Sequence, residues 1–336
     1  WTITILAKKL VKNPNDLTKS KSIAILGSGF VGALSYTFSD SFWFSAVEGE
    51  VYAMSSFLMA LLFWLGLRWE TEMDKPKGNK WLLLISFVVG LSFGVHILSL
   101  LVIPSIVFLY IYKKYTINNF KLFAIANVIS ILVLAFVFKL LFPYTLKYFS
   151  ALELFFVNSI GLPFNSGSII AGLLIVALFY AGIKYTHQKK LVGANTLILS
   201  VLFIIIGFSS WLMLPIRANA NTTINENNPS SARELLAYYN REQYGDANVF
   251  YDTYYSMMYN REQDKKNPSR DEKPKYEKDY KKGKYVIVNN YKDALPNWSD
   301  KHKGFIPRMV NPNPSVVRNY KAIAGIPQNS KRRPTF

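Results

Sequence analysis

The chain has 336 residues, 51% of them hydrophobic and 18% charged, with 39 Lys/Arg against 21 Asp/Glu and a net charge of +18. That composition excludes a pair of ordinary soluble domains, and basic clusters set between long apolar runs point to orientation in a membrane and not to nucleic-acid binding. With no cysteine there is neither a disulfide framework nor a thiolate metal site, which fits either side of a membrane.

A hydrocarbon layer about 30 Å thick needs roughly 20 apolar residues in a helix. In chain order that ruler gives the end of one span at 1–7, then spans near 22–38, 53–68, 81–95, 97–112, 121–142, 167–184 and 193–214. The 81–112 pair is short and interrupted by Gly90, Gly94 and His96. It reads as a tight hairpin of two short helices, or as a pair that does not reach both faces. The apolar stretch Trp1–Leu6 opens the sequence and Phe336 closes it without a terminating signal, so a fragment lacking both ends is expected, and no signal peptide is visible.

Lys and Arg alternate between loops as the positive-inside rule demands. Loops 8–21 (Lys8, Lys9, Lys12, Lys19, Lys21), 68–80 (Arg68, Lys75, Lys77, Lys80), 113–121 (Lys113, Lys114, Lys121) and 184–190 (Lys184, Lys189, Lys190) are basic. Loop 39–52 and the 95–97 turn carry no Lys or Arg, and 143–166 carries only Lys147. With the basic loops in the cytoplasm, everything after Leu214 lies outside. The expected domains are therefore a multi-span region over 1–214, of seven to eight spans, and an extracytoplasmic polar domain over 215–336. In the latter, Ala232–Tyr239 has the spacing of a short helix capped by Ser230 or Ser231. Residues 263–283 form a charged insert expected as a solvated loop or disordered. Tyr285–Asn289 reads as a strand, and 311–336 is Pro/Asn-rich without a period.

Chemistry concentrates in Ser39–Met54, at the outer mouth, where Asp40, Glu48 and Glu50 sit among Phe42, Trp43, Phe44 and Tyr52. The aromatic residues have a plain use as an interfacial belt. Glu48 and Glu50 border an apolar span, where ionisable groups are costly and tend to mark functional paths. They are either solvated interfacial acids or a general base or cation holder facing a phosphate. His96, in Gly94-Val95-His96, is either a donor to phosphate or sugar from both ring nitrogens or a structural cap of the hairpin. Arg217, at the exit of the last span, is placed for a lipid-linked phosphate or serves as an interfacial anchor. Asn219–Asn228 with Arg233, Arg241, Glu242 and Tyr244 offer either sugar-binding donors and acceptors or a hydrogen-bonded loop. Asn221-Thr222-Thr223 and Asn297-Trp298-Ser299 match the short N-glycosylation acceptor pattern. No phosphate-cradling Gly-Lys-Ser/Thr loop, dinucleotide fingerprint, paired-His zinc helix or Gly-x-Ser-x-Gly elbow is present.

Several strings together resemble one family: Phe38-Ser39-Asp40-Ser41-Phe42-Trp43 through Glu48-Gly49-Glu50-Val51-Tyr52-Ala53, the Gly94-Val95-His96 turn, Val157–Phe164, and Leu214–Asn228 followed by Tyr239–Gly245. It is the bacterial membrane family labelled domain of unknown function 2723, itself similar to eukaryotic transmembrane protein O-mannosyltransferases. The resemblance implies an all-α polytopic membrane protein, a helical bundle of the GT-C glycosyltransferase type, with an extracytoplasmic mixed, partly irregular domain. It implies a bacterial inner-membrane enzyme moving mannose or another hexose from a polyprenyl-phosphate donor to a protein Ser or Thr on the periplasmic face, by inverting displacement with a carboxylate base.

Family members carry an acidic motif in the first outer loop and a His-Pro-Pro-Gly-like stretch, and this sequence has neither. The main base is then expected upstream of Trp1. Glu48 and Glu50 take supporting catalytic roles, and Asp40, His96, Arg217, Arg241 and Glu242 bind the donor. The partners implied are the lipid-linked sugar, an acceptor protein and membrane lipid, with no nucleic acid; the need for a divalent metal stays open. The competing expectation is a non-enzymatic envelope or secretion-complex subunit whose outer domain binds a partner. A transporter is disfavoured, because Lys139 is the only charge well within an expected span.

Overall fold

The computed structural model describes residues 1–11, 17–117, 119–220, 222–244, 250–253, 262–305 and 313–329. Lys12, Asn221 and Gly245, singled out above, lie outside the described residues. The chain divides into two compact units, one of Trp1–Glu153 with Gly167–Leu236 and one of Leu154–Ser166 with Ala237–Phe336.

The first unit is helical: α1 (Thr2–Lys9), α2 (Lys19–Thr37), α3 (Asp40–Val47), α4 (Tyr52–Glu72), α5 (Asn79–Phe93), α6 (Ile103–Lys114), α7 (Phe120–Ala135), α8 (Phe142–Leu154), α9 (Ser166–Gln188), α10 (Val192–Phe208), α11 (Met213–Asn219) and α12 (Ala232–Tyr239), the last running on into the second unit. Side chains start several of them as the sequence dictates: Thr18 Oγ1 accepts from the Lys21 N–H, and Asn119 Oδ1 from the Leu122 N–H. Each apolar segment read from the sequence is helical, though not every one is long enough to cross a membrane by itself. Among the described residues five helices are long and apolar enough, or six if α2 and α3, bent by 60°, make one span. Short α5 is not among them, and Ile97–Lys114 is. Their flanks stay apolar and open, as lipid-facing surfaces are: Ile131 on α7 is 62% exposed and Leu178 on α9 71%.

Two expected boundaries move. Of residues 143–166, read as a loop, 143–160 continue the preceding helix, so that Phe120–Ile160 is one helical run of 41 residues with wider π-type turns at Phe136–Leu141 and Phe155–Ile160. Pro143 does not break it, because it stands where the backbone has just left the wide turn and its missing N–H is tolerated. The last span likewise runs past Leu214 to Asn219.

The tightest packing joins α5 and α10. A Cβ on Gly90 would collide with the Ile204 carbonyl oxygen, and one on Gly207 with that of Phe87. Small residues thus let the backbones touch, which is how helices associate in lipid without a hydrophobic driving force. At one end of this crossing Phe93, Phe142 and Phe208 interlock with ring centroids 4.3–5.4 Å apart. At the opposite, basic-loop end, three acids at the foot of α4 tie its neighbours: Glu70 takes Lys9 (2.7 Å), Glu72 takes Arg68 (2.7 Å) and the Trp81 Nε1–H (2.8 Å), and Asp74 takes Lys114.

Among the described residues the second unit holds three two-stranded antiparallel sheets, pairing β1 (Tyr251–Thr253) with β6 (Lys303–Phe305), β2 (Ser269–Arg270) with β5 (Leu295–Pro296), and β3 (Tyr276–Asp279) with β4 (Lys284–Ile287). The charged insert is thus not a structureless loop, for its second half is a β-hairpin. Asp279 makes the turn by accepting from the Lys281 and Lys282 N–H groups (3.0 and 3.1 Å), and Gly283 supplies the left-handed residue at φ 62°. The strand expected at 285–289 is β4. A further departure is helix α13 (Pro314–Ile323) inside the Pro/Asn-rich tail, with Pro314 as first residue and Asn313 Oδ1 accepting from the Ser315 N–H (3.0 Å).

Candidate functional site

The non-basic end of the first unit carries the acidic mouth. The chain kinks after Thr37, and Tyr36–Phe42 (4.5 Å) and Phe38–Trp43 (5.9 Å) ring contacts pin the kink. Trp43, Phe44 and Val47 on α3 face outward, 52–68% exposed, as interfacial residues do. Asp40 opens α3, where a carboxylate favours the helix N-terminus. Glu48 and Glu50 stand in the exposed turn between α3 and α4, and neither side chain has a hydrogen bond or ion pair among the described residues.

Tyr52, two residues on, meets His96 with ring centroids 5.5 Å apart. Below that contact the buried pair Ser55 and Ser99 share a hydrogen bond (3.1 Å), and Ser99 Oγ also donates to the Ser55 carbonyl (3.3 Å). The first turn of α4 is thereby fastened to the 3₁₀ turn Ile97–Val102. His96 caps that turn: its Nδ1 accepts from the Leu98 N–H at 3.1 Å. The structural cap named in the sequence analysis is present. Donation from both ring nitrogens is not available in this conformation, and Nε2 carries the one remaining N–H.

The His96 turn also touches the start of the segment bearing Arg217. A Cβ on Gly94 would lie 2.6 Å from Ser210 Oγ and 3.5 Å from Trp211, so the turn packs close against the 3₁₀ stretch Ser209–Leu212 that leads into α11. Arg217 on α11 is exposed, and its guanidinium has no side-chain partner among the described residues. The asparagines after it fulfil the hydrogen-bonded-loop alternative. Asn219 Nδ2 donates to the Pro215 and Ser230 carbonyls (2.7 and 2.8 Å), and Asn225 Nδ2 to the Ala218 carbonyl and Asn228 Oδ1 (3.2 and 2.9 Å). Ser231 Oγ accepts from the Glu234 N–H at 3.4 Å and Ser230 Oγ donates to Glu234 at 2.8 Å, which fixes the start of α12.

The expected site residues therefore fall in two sets. Asp40, Glu48, Glu50, His96 and Arg217 belong to the first unit, with His96 placed against the acidic turn through Tyr52. Arg241 and Glu242 belong to the second: Arg241, at φ 53°, lies over the Tyr244 ring (4.7 Å), and Glu242 accepts from Asn240 (3.2 Å). No group of three His, Asp or Glu side chains able to hold a metal ion occurs among the described residues.

Two polar residues escaped the sequence reading. Glu153 is fully buried on α8, its Oε2 accepting from the Ser168 N–H (2.8 Å) and Oγ–H (3.0 Å), so that it caps the N-terminus of α9. Asn158 grips β4: its Nδ2 donates to the Tyr285 carbonyl (2.9 Å) and its Oδ1 accepts from the Tyr285 N–H (2.9 Å). The signal that finds them is Leu146, Ser150, Glu153 and Val157, buried at helical spacing within 143–160.

Residues 1–119 match a family model described as the N-terminal domain of protein O-mannosyl-transferase TMEM260, and residues 245–336 match one described as a family of unknown function (DUF8416). No curated protein and no solved structure matches the chain. The first match takes in the whole acidic turn and His96, and supports an O-mannosyltransferase-like relationship for that part of this integral membrane protein.

Proposed function

We propose that the chain is the membrane part of a glycosyltransferase of GT-C type that moves mannose or another hexose from a polyprenyl phosphate to Ser or Thr of an acceptor protein. The observation that carries this reading is the O-mannosyl-transferase match over the residues that build the acidic turn and the His96 cap. The chemistry of the turn agrees with it. Glu48 and Glu50 keep acceptor oxygens unspent beside a membrane span, as a group that steadies a base, a hydroxyl or a cation must. Arg217 keeps a guanidinium fork open for phosphate oxygens, and His96 keeps one N–H on Nε2. In the proposed orientation the basic loops are cytoplasmic, so Glu48, Glu50, His96 and Arg217 lie on the outer face of a bacterial inner membrane.

Glu48 and Glu50 support the acceptor side, and Asp40, His96 and Arg217 the donor. The test is Glu50→Gln and Arg217→Gln in the full chain, assayed for transfer and for donor affinity. A fall in turnover for the first and in donor affinity for the second is expected; no change in either variant removes both from the site. Stable co-purification of a partner with no transfer from any lipid-linked sugar would favour the non-enzymatic subunit.

A further inference from the structure

Where the basic-loop ends of α1 and α4 lie side by side, a cleft of about 300 Å³ opens between them, wholly within the first unit. One face of α1 lines it, Trp1, Thr4, Ile5 and Lys8 recurring at helical spacing, and Trp64 and Arg68, one turn apart, line it from α4. Both helices run towards basic loops, so Lys8 and Arg68 stand at the mouth while Trp1, Ile5 and Trp64 lie one to two turns deeper, towards the membrane interior. The walls are tied in place. Lys9 on α1 pairs with Glu70 on α4 (2.7 Å) beside the mouth, and α2 packs so closely behind α1 that a Cβ on Gly29 would collide with Thr4 Oγ1.

The mouth is cationic. Lys8 is exposed and has no acidic partner among the described residues. Of the Arg68 guanidinium only Nη2 donates, to Glu72 (2.7 Å), and Nε has no partner. Glu72 does not cancel this charge, because it is shared with the Trp81 Nε1–H (2.8 Å) and with Lys80 (4.0 Å). Lys8, Lys9, Arg68 and Lys80 thus face only Glu70 and Glu72, and the surplus is positive. We propose that α1 and α4 hold an anionic phospholipid of the leaflet at the basic-loop end, with an acyl chain between Ile5 and Trp64 and the headgroup phosphate at Lys8 and Arg68. An apolar cleft with cations only at its mouth complements an anionic amphiphile, whereas a soluble anion would leave the apolar part unfilled. The inference stands on the membrane assignment and not on the proposed sugar transfer, whose acidic turn lies at the other end of α4.

The full chain goes into phosphatidylcholine nanodiscs with a trace of phosphatidylglycerol carrying a diazirine in its acyl chain, or of phosphatidylcholine with the same chain, and the peptides labelled on photolysis are mapped. Each cation beside an anionic headgroup favours binding by about fivefold, so labelling of α1 and α4 should be roughly twentyfold higher with the anionic probe. Lys8→Gln should lower that labelling by about fivefold. Lys8 is exposed and makes no ion pair among the described residues, so the variant keeps its fold, which an unchanged unfolding midpoint checks. Lys189→Gln removes a like charge from another basic loop and should leave the labelling unchanged. Equal labelling of α1 and α4 by the two probes, wild-type labelling in Lys8→Gln, or the same loss in Lys189→Gln overturns the inference. So does displacement of the anionic probe by a polyprenyl phosphate and not by unlabelled phosphatidylglycerol, which would make the cleft a place for the sugar carrier.

Discussion

Asn158→Ala removes the clamp between the helix end and β4. Val288 donates to the Lys275 carbonyl, so in the alternating antiparallel ladder the backbone groups of Tyr285 point away from β3 and have Asn158 as their partner. With Tyr285 only 3% exposed, the substitution strands one N–H and one C=O at a covered strand edge. Each stranded group costs about 1–3 kcal/mol, and partial access of water to an edge brings the pair to about 2–4 kcal/mol. At 1.4 kcal/mol per factor of ten, the Tyr285 amide should lose about 30- to 700-fold of its hydrogen-exchange protection. The α5–α10 crossing in the other unit should keep its own. Protection at Tyr285 within about threefold of wild type would refute the view that this one side chain holds the hairpin.

Three further outcomes follow from the packing and the charges. Gly90→Leu puts a side chain where the Ile204 carbonyl stands, and an overpacking cost of about 1–3 kcal/mol or more should appear as a lower unfolding midpoint in detergent. Ser231→Ala removes the acceptor for the Glu234 N–H and should loosen α12 by about 1 kcal/mol, read as faster exchange in its first turn. The Lys114 ammonium holds the Asp74 carboxyl below its ordinary range, and the Lys266 and Asn267 N–H groups do the same for Asp264. Depressed carboxyl pKa values give stability that is present above the unfolded-state value and lost as pH falls through the folded one. The midpoint should therefore drop on acidification below the usual aspartate range, less steeply in Asp74→Asn; parallel profiles for the variant and wild type would count against the Asp74 tie.

What the sequence disclosed and what it withheld have physical causes. Runs such as 193–208 are apolar on all sides because lipid covers most of each helix, so their helicity needs no periodicity to be read. The alternation of Lys and Arg between loops is equally local. The Phe120–Ile160 helix was hidden because Pro143, Lys147 and Glu153 look like loop residues until Glu153 is seen to serve the start of α9, a partner 15 residues away. Lysine-rich 273–284 reads as solvated, since the groups that fix its hairpin are the Asp279 turn and a distant Asn158. At the site, the acidic turn was legible as an anomaly of charge beside a span. The Tyr52–His96 contact and the Ser55–Ser99 pair beneath it, which set its geometry, depend on how two helices meet.

The chemistry proposed for the chain is sugar transfer from a lipid phosphate. The most direct measurement follows label from polyprenyl-phosphate mannose, and from the glucose and galactose equivalents, into a Ser/Thr-containing acceptor peptide in membranes holding the full chain. Chain-dependent label on a peptide hydroxyl is expected with at least one of these donors, lowered in Glu50→Gln. Label no higher than in membranes without the chain, with every donor, would contradict it.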